Sequence, residues 1–296
     1  MPKARKSTYP NKWPSDFGRT PMLDPRDALD AIGTLPDTEI DIGDAALQFA
    51  RIDAPGADWQ AARAHLSELA RAASSLADSI DDSDLAARAV GLSGVLGGRF
   101  GYRGDEQTYD DLVNANLIRV IERRRGLPVA LGVLWLHAAH AAGWVAHGVD
   151  FPAHFLVAMP GAGGQSVLDV FHGGTPLTSK DLRALLKKVE GDSAELRPGL
   201  LRPMSSRRVL LRLQNNILTR RLMANDPDGA LVCAEDMLRI APDHASLWQQ
   251  AALLNQKLDR IAAALRCFDR FLALVPDGDA AREARAIAGS LRGRLN

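Results

Sequence analysis

Cysteine is nearly absent: only Cys233 and Cys267 occur in 296 residues. Both sit in apolar helical patterns, which reads as small core side chains rather than a disulfide framework or a cysteine metal site. Long apolar runs are missing too. No stretch of about 18 apolar residues appears, so no helical membrane span is expected. The N-terminal MPKARKSTYPNKWPSDFGRT carries Lys and Arg but no apolar core, so no secretory signal is expected and the cytoplasm is the expected compartment. Nor is there an excess of one charge. Lys plus Arg and Asp plus Glu each total 36, which argues against nucleic acid or an anionic membrane as the main partner.

What is present suffices for a sizeable core, with 46% hydrophobic residues. At roughly 150 residues per domain the chain suggests two domains. Residues 1–22 read as a disordered basic extension, 23–200 as a helical N-terminal region plus an α+β core, and 201–296 as helical repeats. From Asp24 to Arg99, apolar residues recur at spacings of three and four: Ala28, Ile32 and Leu35, then Ala62, Leu66, Leu69 and Ala73, then Leu85, Ala89, Leu92 and Leu96. Each set marks a helix with one buried stripe. The acidic run Asp78, Asp81, Asp82 and Asp84 lacks the Gly and distal Glu of a calcium loop, and Asp82 or Ser83 is placed to cap the next helix.

Gly126, Leu127 and Pro128 interrupt the helical stretch from Asn114 to Arg125. Pro128 suits the first turn of a new helix, because its missing N–H would be unpaired there anyway. That helix, to about Ala142, is apolar almost all round and therefore central; Gly143 ends it. Three β-type runs follow, 144–149, 154–159 and 166–171, with a turn at 160–164 giving an antiparallel hairpin against the central helix. The layout is α+β and mainly helical.

Helical patterns return at 179–189 and 205–223. Then Ala230, Cys233, Leu238, Pro242 and Asp243 recur as Ala264, Cys267, Leu272, Pro276 and Asp277, each pair 34 residues apart. This is the tetratricopeptide period, and Trp248, Ala264, Phe268 and Pro276 fit its large, small, Phe, Pro spacing. A last helix, from about Asp279 to Arg294, carries Arg282, Arg285 and Arg292 and would close the stack as a solvated cap.

Tyr109, Asp110, Asn114, Leu117 and the run E-R-R-x-G-x-P from Glu122 to Pro128 are followed by P-x-H-F-L around His154 and D-x-F-x-G-G from Asp169. In that order, with the repeats behind them, they resemble the SirB-type bacterial branch of the transglutaminase-like superfamily. Catalytic relatives in that superfamily begin the central helix with Cys and place a His and an Asp on the next two strands. The resemblance puts His154 and Asp169 at the last two positions and Pro128 at the first. Proline has no nucleophilic atom, and no Ser, Thr or Cys occurs from Arg119 through Ala142.

Three readings of His154 and Asp169 stay open: a hydrogen-bonded pair that ties two strands, a general base acting on water in a hydrolase or amidase, and part of a metal site with His137, His140, His147 and His172. No HExxH or Cys partner supports the metal, and neither metal nor cofactor is expected. Candidate binding residues are Asn114, Glu122 and Arg123 in the core and Trp248 in the repeats. Arg123, Arg124 and Arg125 could hold an acidic peptide or carboxylate, or be a solvated helix end; Arg207, Arg208, Arg212, Arg220 and Arg221 could line a partner groove, or be solvated. The leading reading is a non-catalytic protein-binding or regulatory protein whose repeats engage a protein or peptide.

Overall fold

The computed structural model describes residues 23–81 and 83–294, so the basic extension 1–22 and Asp82 lie outside it. Helices α1 (Pro25–Gly33), α2 (Ile42–Asp53), α3 (Trp59–Ala77) and α4 (Leu85–Ser93) form the N-terminal region. Each starts at an aspartate, Asp24, Asp41, Asp58 or Asp84, whose carboxylate accepts a backbone N–H of the first turn. Such a cap satisfies an orphan donor and places negative charge at the positive helix end, worth about 1 kcal/mol. The cap of α4 is therefore Asp84 and not Ser83, whose N–H and hydroxyl instead turn to Asp81. The stripe of α3 is buried as its spacing predicts. In α1 the fully buried residue is Leu29, with Ala28 and Ile32 half-buried and Leu35 beyond the helix.

Helix α5 (Leu117–Arg123) is shorter than the predicted 114–125 stretch. Asn116 caps it by accepting from Ile118 and Arg119, and Arg124 ends it in the left-handed region with φ 58°. The chain then pairs a two-residue β2 (Arg125–Gly126) parallel to β1 (Arg103–Gly104) and enters α6 (Pro128–Ala141) with Pro128 in the first turn. Most of α6 is buried on all sides.

A five-stranded antiparallel sheet lies against α6 in the order β6 (Thr175–Leu177), β5 (Gly164–Asp169), β4 (His154–Gly161), β3 (His147–Phe151), β7 (Pro203–Met204). Alternation along β4 sends Phe155, Val157 and Met159 into the α6 core and Leu156 and Ala158 into a second core under α7 (Ser179–Glu190). Gly132 of α6 makes the closest approach: a Cβ there would lie 2.1 Å from the Phe155 ring. The first predicted strand begins three residues late because the Trp144 N–H returns to the Ala139 carbonyl and closes α6. The third ends at Asp169, which caps a 3-10 turn over Val170–His172.

Helices α8 (Ser206–Met223), α9 (Pro227–Ile240), α10 (Ala245–Lys257), α11 (Ile261–Leu274) and α12 (Asp279–Gly293) follow. The 34-residue period places its equivalent positions on α9 and α11, where Ala230, Ala264 and Phe268 are all fully buried. Cys233 is buried and Cys267 half-buried, and burial pushes both thiols up, that of Cys233 to about 12, as suits side chains used for packing. One apolar core runs without a break from α1 to α10, so the change of architecture near residue 200 is no gap in packing. Ion pairs reinforce it: Arg26–Asp236 at 2.9 Å, Arg239–Asp30 at 2.7 Å, Arg207–Asp37 at 2.8 Å and Arg221–Asp53 at 2.5 Å.

Candidate functional site

The start of α6 is held from below. The Leu127 N–H donates to the Asn114 carbonyl at 2.8 Å, so the peptide before Pro128 is fixed by the 3-10 turn Leu112–Asn114. Space beside it is filled. A Cβ on Gly104 would sit 2.2 Å from the Phe171 ring, and Phe171 in turn packs edge-on against Tyr109 with centroids 6.0 Å apart. Trp135, one face further along α6, is fully buried against Gly174, where a Cβ would lie 2.8 Å from its indole nitrogen. Gly174 has φ 84° as well, so both the contact and the backbone angle require glycine at the end of the D-x-F-x-G-G motif.

His154 and Asp169 do not form the expected pair. Among the described residues the His154 ring has no hydrogen bond; its nearest ring contact is Phe151 at 6.5 Å, and burial pushes its imidazole down while Asp169 only partly offsets this. Asp169 is committed to its own turn. Its Oδ1 accepts from the Phe171 and His172 N–H groups at 3.1 and 3.4 Å, and its Oδ2 accepts from His172 Nδ1 at 2.8 Å. A carboxylate that caps a turn points along the chain rather than across the sheet, and this turns it from His154. The D-x-x-H spacing was the available signal for that contact.

The predicted binding residues have structural partners. Asn114 is fully buried; its amide nitrogen donates to the Thr108 carbonyl at 2.5 Å, and its amide oxygen accepts from Arg123 at 2.7 Å. Arg123 also reaches Asp105 at 2.6 Å. Asp105, which sequence reasoning missed, gathers the Thr108 N–H and hydroxyl with Arg123, and these hold its carboxyl down at about 2. The D-x-x-T spacing of a local side-chain turn was its signal. Glu122 is exposed and paired with Arg119 at 2.9 Å. Arg124 stacks on Tyr102 and bonds its hydroxyl, so this part of the basic run is an internal brace.

In the second basic set Arg208 is exposed, as the solvated reading has it, whereas Arg207, Arg212, Arg220 and Arg221 have partners within the protein. Arg207 bonds the Leu35 and Ile240 carbonyls, Arg212 pairs with Asp150 and donates to the His154 carbonyl, and Arg220 holds Tyr109 and Asp110. The histidines scatter: His137 faces Asp41 and the Leu66 carbonyl, His140 the Ala146 carbonyl, and His172 Asp169. Among the described residues no group of three or more His, Cys, Asp or Glu is arranged to hold a metal. Trp248 donates its indole N–H to the Pro242 carbonyl at 2.7 Å and lines an open groove between α1, α9, α10 and α11.

A central helix against an antiparallel sheet, entered through G-x-P and followed by paired helices at a 34-residue period, defines a transglutaminase-like core joined to tetratricopeptide repeats. The chain belongs to the transglutaminase-like superfamily, whose family model matches residues 60–215; a tetratricopeptide repeat model matches residues 218–289. Among its relatives is a UPF0162 protein of Pseudomonas aeruginosa, 30% identical over 257 residues that cover 86% of this chain and 92% of the relative. A UPF0162 protein of Xylella fastidiosa (strain Temecula1) is 32% identical over 181 residues, 60% of this chain and 64% of that one, so the match spans a little under two thirds of it. F-box only protein 21 of Mus musculus is 27% identical over 133 residues, 42% of this chain and 20% of its own. No helix among the described residues is long and apolar enough to cross a membrane.

Proposed function

We propose that this protein is a non-catalytic binding or regulatory protein of the cytoplasm, in which residues 23–200 form a transglutaminase-like scaffold without a nucleophile and residues 201–296 present the surface for a protein partner. The observation that carries this reading is Pro128 at the entry to α6, on a helix with no hydroxyl or thiol anywhere along it. A dipole-activated thiolate needs a thiol at that helix start, and proline supplies none. Occupation of Asp169 by His172 supports the same reading, since it leaves His154 without an orienting carboxylate. The repeats supply the complementary support: stacked helix pairs expose long surfaces suited to chains of other proteins.

The test is ammonia release and amine incorporation on a mixed glutaminyl and asparaginyl peptide library, with chelator present, comparing the wild type with His154→Ala. Neither protein is expected to turn over substrate. Activity in the wild type that His154→Ala abolishes overturns the reading in favour of a hydrolase.

A further inference from the structure

The groove lined by Trp248 has a volume of about 420 Å³ and opens along the second helices of two successive repeats, α9 and α11, with α1 along one edge. Its floor is apolar, built from Leu238, Trp248, Ala251 and Cys267. The Trp248 N–H is already spent on Pro242, so what the ring offers the groove is hydrocarbon. Three charged side chains line the same groove: Asp30, Glu235 and Arg239. Arg239 is shared between Asp30 at 2.7 Å and Asp236 at 3.2 Å. Glu235, by contrast, has neither an ion pair nor a hydrogen bond among the described residues. The lining thus carries one cation against two carboxylates beside an apolar floor, with Arg26 and Arg260 acting on Glu235 only at longer range.

We propose that this groove receives a segment of a protein partner that carries a bulky apolar side chain next to a Lys or Arg, the apolar group seated against Trp248 and Leu238 and the cation facing Glu235. The proposal rests on the binding reading above and names the chemistry of its partner. Charge complementarity decides between segments: an acidic one would meet Glu235 and Asp30 with like charge, whereas a basic one gives Glu235 a direct ion pair, which none of the described residues makes with it. The apolar floor supplies the anchor that a rim charge alone does not.

The test uses fluorescein-labelled peptide pools about 12 residues long: Leu and Trp with Lys and Arg, Leu and Trp with Glu, and Ser and Gly with Lys and Arg. Binding to the full chain is read by anisotropy for the wild type, for Glu235→Lys and for Glu283→Lys, which makes the same charge change on the exposed face of α12. The apolar-basic pool is expected to bind most tightly, about tenfold more weakly to Glu235→Lys and unchanged to Glu283→Lys. Preference for the acidic pool, absence of binding by the apolar-basic pool, or equal loss in both variants overturns the proposal. Binding of that pool undiminished by Glu235→Lys overturns it too, yet leaves the protein a peptide binder, so the two readings fail separately. Sedimentation closes the remaining alternative: a dimer that Glu235→Lys dissolves would assign the groove to a second copy of the chain and likewise overturn it.

Discussion

Asp169 Oδ2 lies 2.8 Å from His172 Nδ1, three residues away on the same turn. The two further N–H groups that reach the Asp169 carboxylate make it the organiser of the segment that carries Phe171 over Gly104. Asp169→Ala is therefore expected to destabilise the fold by about 1–2 kcal/mol, the usual cost of a lost cap with unpaired donors. A double-mutant cycle in urea should give a coupling of about 0.5 kcal/mol for Asp169 with His172, whose ring is largely exposed, and a smaller one for Asp169 with His154, which shares no hydrogen bond with it. A larger coupling to His154 would restore the cross-strand pair.

His137 faces two acceptors, Asp41 at 3.6 Å through Nδ1 and the Leu66 carbonyl at 3.1 Å through Nε2. Burial opposes its charge, but Asp41 and the carbonyl outweigh it and raise the imidazole above the ordinary histidine value. A raised folded value contributes stability that is fully present below the unfolded value of about 6.5 and is lost as pH rises through the folded one. Asp41→Asn keeps an oxygen to cap α2 but removes the charge. It should cost more stability at about pH 5.5 than at about pH 8.5. Equal costs at the two pH values, read by chemical denaturation, would show that the pair contributes nothing.

Asp105 binds Arg123 and both donors of Thr108 while almost entirely buried, so Asp105→Ala leaves several polar groups unpaired at once. A loss of about 2–3 kcal/mol is expected, with Arg123→Ala costing less because that side chain is partly exposed. The Thr108 bonds and Arg123 depress the Asp105 carboxyl to about 2, so its contribution is present above the unfolded value and fades as pH falls through about 2. Acid unfolding of wild type and Asp105→Asn should therefore converge at low pH. A variant as stable as the wild type at neutral pH would contradict the brace.

The repeats and α6 were legible in the sequence because their signals are local. A period of 34, a Pro at a helix start and an apolar run on every side each reflect one element's own geometry. Strand edges were less so: β6 and β7 are three and two residues long and each includes a proline, too little for alternation to show. The arginines of α8 were open between solvent and partner, and the structure pairs Arg207, Arg220 and Arg221 within the protein while Arg208 stays exposed, because the acceptors Leu35, Asp37, Asp53 and Asp110 are distant in sequence.

By itself the sequence determined the class of fold, the order of core and repeats, and the absence of any Ser, Thr or Cys from Arg119 through Ala142, since each depends on residue type and spacing along the chain. Tertiary structure alone decided that Asp169 serves His172 rather than His154, that Arg123 is tied to the buried Asn114 and Asp105, and that Glu235 of the repeat groove has no direct ion pair among the described residues. The physical reason is that hydrogen bonds and ion pairs are settled by which donors and acceptors packing brings within about 3 Å, and packing is a property of the whole chain.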